Sequence, residues 1–314
     1  MLGLVPHGDV IGGGVGTFEA VFGNSSRELW ILRAVWLVLP FVAGPLFSAA
    51  LDDTELTFER GVATLLWVAW AALLIALMVP RTQTLTAIRI VPFAGAAAAA
   101  WAALDARNDT DATTITVGLV AVVVAAVLSL RPSVTDAFAD GSSYGDETRF
   151  LLSTPGPLLL GPLALVWLVI VGGAVFGPLL LLAERWIAGS LALVIGWALA
   201  WFAVPILHRL SNRWLVFVPA GMVVHDKTAL REPQLFRVED VAAFGPAPVE
   251  SDEQDLTLDA LGLALRVSLK EESKIIRNVR GPSIDLTEIT GFLVSPNRPG
   301  AVVEEARKRG YAIG

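Results

Sequence analysis

Few residues in this chain have the type and spacing that chemistry requires. Cysteine is absent, and histidine occurs only as His7, His208 and His225, far apart along the sequence. That removes thiolate nucleophiles, disulfides and cysteine metal sites, and leaves little material for a zinc centre. His7-Gly8-Asp9 stands in a glycine-rich lead without partners, and neither His-Glu-x-x-His nor a Gly-x-Ser-x-Gly nucleophile with a histidine occurs. Ile11-Gly12-Gly13-Gly14-Val15-Gly16 is not followed by Gly-Lys-Ser/Thr, so no phosphate loop is completed. No catalytic residue, metal ligand or cofactor is expected, and the chain reads as non-enzymatic.

Two charged groups remain as candidate sites. Asp136, Asp140, Asp146 and Glu147 can line a metal or headgroup site, yet the interleaved Gly141-Ser142-Ser143 and Gly145 read as a solvated loop. Arg266, Lys270, Lys274, Arg277 and Arg280 can form a basic patch facing anionic headgroups, each worth about 1 kcal/mol near a charged surface. Glu271 and Glu272 dilute that patch, and an ordinary solvated hairpin accounts for the same residues.

The elements that must carry these groups are dominated by apolar runs. Of 314 residues 54% are hydrophobic, far above a soluble average, while the last hundred or so look ordinary. An α-helix needs about 20 apolar residues to cross a bilayer's hydrocarbon core. Runs of that length predict spans at Leu29–Leu51, Val62–Pro80, Leu85–Leu104, Thr113–Leu130, Pro157–Leu182 and Ile187–Leu207. Residues 1–28 form a flexible lead without the charged head and apolar core of a cleavable signal. Residues 29–207 form the six-helix transmembrane domain, and 208–314 a cytoplasmic domain.

Orientation follows from arginine placement. Arg27, Arg33, Arg81, Arg89, Arg131, Arg149, Arg209 and Arg213 fall on the side of the termini, and the opposite loops carry at most one arginine each. A multi-pass protein of the plasma (inner) membrane with both termini cytoplasmic is expected. Arg33 and Arg89 lie close enough to that edge to snorkel there. The net charge of −7 and the absence of a basic stripe exclude a nucleic-acid partner. The expected partners are the lipid bilayer and a protein, either another chain or a second copy.

From Arg213 onward short alternating pieces replace the long runs. Strands are predicted at Trp214–Pro219, Met222–His225, Leu235–Val238, Val241–Phe244, Leu261–Leu269, Ile275–Val279 and within Ile284–Val294, with a turn at Lys270–Lys274. Ser295-Pro296-Asn297-Arg298-Pro299-Gly300 leads into a helix over Ala301–Arg309. The stretches Arg213-Trp214-Leu215-Val216-Phe217-Val218-Pro219-Ala220-Gly221-Met222-Val223-Val224 and Phe292-Leu293-Val294-Ser295-Pro296-Asn297-Arg298-Pro299 make this region resemble the bacterial pleckstrin-homology-like domains. The whole layout resembles a group of actinobacterial polytopic membrane proteins. The resemblance implies an α+β, β-rich domain with one C-terminal helix, a binding or assembly role and no catalytic residues. The expected function is therefore binding of a partner protein or the membrane surface by the cytoplasmic domain. The alternative is a transporter or lipid-handling channel formed by the six spans.

Overall fold

The computed structural model describes residues 24–141, 143–159, 161–248, 250–278 and 285–314. Most of the lead, residues 1–23, lies outside the described residues, as does Arg280 of the basic patch. Six helices are long and apolar enough to cross a membrane. They are α1 (Asn24–Leu51), α2 (Leu56–Met78), α3 (Thr82–Asp105), α4 (Ala112–Ser129), α6 (Pro162–Leu182, preceded by a single turn at Gly156–Leu159) and α7 (Trp186–Leu210). Helix α5 (Pro132–Asp140) follows α4 after a two-residue break, with Pro132 in its first turn, where the missing N–H costs nothing.

The spans meet through small residues and a few polar ties. A Cβ on Gly173 of α6 would come within 2.8 Å of the Gly196 Cα on α7, so only glycine lets these two backbones approach so closely. Between α1 and α2 the two indoles bond reciprocally: Trp36 Nε1 donates to the Trp70 carbonyl at 3.0 Å, and Trp70 Nε1 donates to the Trp36 carbonyl at 2.8 Å. Arg33 donates from Nε to the Leu77 carbonyl at 2.9 Å, and Arg89 from Nη1 to Ser211 Oγ at 3.1 Å. Both arginines thus fasten neighbouring helices near one edge of the bundle, where the sequence suggested only snorkelling.

The β-rich unit contains two four-stranded sheets. In the first, β1 (Thr148–Leu151), β2 (Trp214–Val218), β3 (Gly221–His225) and β4 (Gln234–Arg237) pair antiparallel in sequence order. In the second, β5 (Val241–Pro246), β7 (Leu265–Arg277), β8 (Asp285–Val294) and β6 (Gln254–Asp255) lie in that spatial order, β6 running parallel to β8. Inward residues of both sheets, among them Leu215, Phe217, Phe244, Val267 and Phe292, make one core, and helix α8 (Pro299–Lys308) adds Val302 and Ala306 to it.

Three expectations require correction. The connection after α4 is not a solvated loop: α5 buries Val134, Phe138 and Ala139, and β1 joins the sheet of the C-terminal region. Lys270–Lys274 is not a turn but part of one continuous strand, bulged between Ser268 and Ser273. A bulge and a turn both leave polar residues unpaired, so they look alike in sequence. The alternating run begins at Leu265, because Leu261 and Leu263 are exposed and Leu258 and Asp259 take left-handed backbone conformations that interrupt extension.

Candidate functional site

The place where chemistry-bearing side chains converge is the seam between helix ends and sheets. β1 is its centre. Successive residues of a strand point to opposite faces, so Phe150 and Leu152 enter the β core while Leu151 enters the cluster formed by Leu32, Leu77, Leu85 and Phe138 at the helix ends. The strand thereby belongs to both hydrophobic cores.

Polar groups complete the seam. Arg213, the residue before β2, donates from Nε to Asp226 Oδ2 at 2.8 Å and from Nη1 to the Ser153 carbonyl at 2.7 Å. Both charged side chains are essentially inaccessible, at 1% and 0% exposure. Asp226 also accepts from the Thr228 N–H at 2.9 Å and from the Thr228 hydroxyl, so its lone pairs are filled. The pair closes the β2–β3 hairpin and grips the chain leaving β1. Ser153 continues the contact, its N–H donating to the Ser295 carbonyl at 2.7 Å and its hydroxyl bonding the Asn297 side chain at 3.1 Å.

Asp136 on α5 is the chemically unusual member. It is 3% exposed, and one oxygen accepts the Leu151 N–H at 3.1 Å. Among the described residues the other has no hydrogen-bond partner, and Arg298 Nη1 lies 3.9 Å from it. Burial therefore outweighs the attraction of Arg298 and pushes the carboxyl up to about 7. The remaining acids of this segment serve structure. Asp140 accepts from the Ser143 hydroxyl and the Arg149 N–H, and Glu147 pairs with Arg149 at 2.9 Å. Among the described residues no group of three or more His, Asp or Glu is placed to hold a metal.

The described members of the basic set, Arg266, Lys270, Lys274 and Arg277, lie along β7, each beside acids. Arg266 faces Glu253 at 3.5 Å, Lys274 faces Glu288 at 3.1 Å and Arg277 faces Asp285 at 3.7 Å. Lys270 lies in the bulge and lines a polar hollow with Glu239, Asp240, Glu271 and Glu272. Cross-strand neutralisation of this kind lowers the pull such a patch exerts on anionic headgroups.

A second site lies inside the bundle and carries no charge at its centre. α1, α2, α3 and α6 enclose an apolar cavity of about 510 Å³, lined between Trp36 and Leu51 on α1 and between Glu59 and Trp70 on α2. Sequence reasoning missed it, because cavities depend on which helix faces meet. It also missed the Arg213–Asp226 pair, although a signal existed. With the two-residue turn at Pro219-Ala220, the register that sets Trp214 opposite His225 sets Arg213 opposite Asp226 one step further along. Comparison with family models, with curated proteins and with solved structures finds no match to this chain.

Proposed function

We propose that the chain is a non-enzymatic multi-pass protein of the inner membrane whose cytoplasmic, pleckstrin-homology-like domain presents a binding surface for a partner protein. One observation carries the reading: β1, drawn from between two spans, is an edge strand of the sheet built by the C-terminal region. A recognition domain that needs only proximity to the bilayer works on a flexible linker. Fastening the sheet at two points holds its outer surface at a set attitude to the membrane, which matters when a rigid partner must be met in one orientation. Two sheets around one core closed by a C-terminal helix support the pleckstrin-homology-like assignment. The paired state of Arg266, Lys274 and Arg277 favours a protein over anionic headgroups as the partner.

The test is quantitative co-purification in mild detergent of the full chain and of a chain ending at Leu210. A partner recovered in stoichiometric amount with the full chain and lost from the truncated one is the expected result; a second copy of this chain is the homo-oligomer form of the same result. Equal recovery with the spans alone overturns the reading. The intramembrane cavity favours a second reading, a lipid-handling role of the spans.

A further inference from the structure

We propose that the cavity between α1, α2, α3 and α6 holds the acyl chain of a membrane lipid taken from the leaflet opposite the β-rich unit, with an amine-bearing headgroup at Glu59. The inference is independent of the partner-binding reading, since it concerns only the spans.

Position comes first. The lining runs along the C-terminal parts of α1, α3 and α6 and the N-terminal part of α2, which is the half of the bundle away from α5 and the sheets. The stretch from Trp36 to Leu51 rises about 22 Å at 1.5 Å per residue, deep enough for much of a hydrocarbon chain. The volume, about 510 Å³, lies within the usual range for small-molecule pockets, about 300–1,000 Å³.

The chemistry of the walls selects the occupant. Leu39, Phe47, Leu66 and Val91 offer only hydrocarbon. Water needs about 2–4 polar partners to reside in a cavity. The indole N–H groups of Trp36 and Trp70, the polar groups at its inner end, are already spent on each other's carbonyls. Beyond them Leu32, Leu73, Leu77, Leu85 and Ile88 are packed with no more than 1% exposure, so the floor is closed. A chain can enter from the leaflet but cannot pass through, which makes this a binding site and not a conduit. The recess depends on small residues: nothing lies within 4 Å of a Cβ built on Gly44, and Ala94, Gly95 and Ala98 form the facing wall.

The polar end is equally specific. Glu59 stands in the first turn of α2 and Ser48 one turn before the end of α1, both lining the cavity at the edge of the bilayer. Trp101 packs edge-on against Phe58 there, 6.4 Å between ring centres, the depth at which an indole prefers the headgroup region. No ion pair engages Glu59 among the described residues. A carboxylate at the mouth of an apolar slot attracts a headgroup that carries an ammonium and repels one of net negative charge.

The experiment uses the full chain in nanodiscs of dioleoyl-phosphatidylethanolamine and dioleoyl-phosphatidylglycerol in equal parts, extracted into detergent and weighed by native mass spectrometry. Wild type should retain one phosphatidylethanolamine. Gly44→Leu and Ala94→Phe, which fill the cavity from opposite walls, should lower retention at least tenfold without lowering the thermal midpoint. Glu59→Gln should keep a lipid but lose the preference between headgroups. Should either filled variant misfold, a lipid with a diazirine at its chain end decides on wild type alone: labelling at Leu39, Leu66 or Val91 is expected. Labelling confined to outward residues such as Trp197 and Trp201, no retained lipid on wild type, or equal retention by the filled variants overturns the proposal, and a preference for phosphatidylglycerol overturns its headgroup half.

Discussion

At the scale of single residues, Asp136 shows how burial reverses the meaning of a carboxylate. In sequence it belongs to an acidic, glycine-rich stretch; in the fold it is closed in, with one oxygen unbonded and its carboxyl pushed from the usual 3.8 up to about 7. The folded state then binds this proton more tightly than the unfolded state does, so stability falls as pH rises from about 4 to 7 and the penalty is complete above 7. At about 1.4 kcal/mol per pKa unit the penalty is a few kcal/mol. Asp136→Asn keeps an acceptor for the Leu151 N–H and cannot ionise. In detergent at pH 8 the variant should unfold at a higher temperature than wild type, and the difference should shrink towards pH 5. A lower melting point at pH 8 would show that the ionised carboxylate and Arg298 stabilise each other after all. Arg213 illustrates the opposite case, because its partner Asp226 and the Ser153 carbonyl satisfy its charge within the interior.

Among the elements, β1 decides how the β-rich unit is built. Its four residues would be a weak strand alone, yet with Leu152 just after them they add Phe150 and Leu152 to one core and Leu151 to another. Fully burying a Leu or Phe is worth about 1.5–3 kcal/mol, so the two inward residues supply on the order of 3–6 kcal/mol against a domain stability of about 5–15. Arg213–Gly314 expressed alone should therefore be poorly stable, although its pattern of strands suggests a self-sufficient domain. The same fragment carrying Asp146–Pro155 through a short linker should gain denaturant midpoint and chemical-shift dispersion. Equal midpoints for the two fragments would show that β1 is dispensable to the core.

For the whole molecule, the shared sheet ties topology to fold. Residues between α4 and α6 pair with residues after α7, so these two segments lie on one side of the proposed membrane, as two intervening spans require. With the arginine asymmetry, that side is proposed to be the cytoplasm. Cytoplasmic reporters inserted after Ser143 or fused after Gly314 should be active, and those placed in Asp52–Glu55 or Arg107–Asp111 should not. Activity at Asp109 would contradict the six-span arrangement.

Hydropathy is a sum over neighbours in the chain, so the six spans, the change of pattern at Arg213, most strands and the C-terminal helix are legible from sequence alone, with ends displaced by several residues where helices extend past the apolar core. Burial, by contrast, is settled by partners far away in the chain. Thr148–Leu151 becomes a strand because Trp214–Val218 lies alongside, and Asp136 loses its solvent because Leu151 and Arg298 close over it. The cationic residues of β7 lose their free charge for the same reason, since Glu253, Asp285 and Glu288 reach them only in the folded sheet. The cavity beneath Gly44 exists only because α1, α2, α3, α4 and α6 meet with small side chains facing one another. Sequence thus decided which segments leave water, and tertiary contact decided which of them meet.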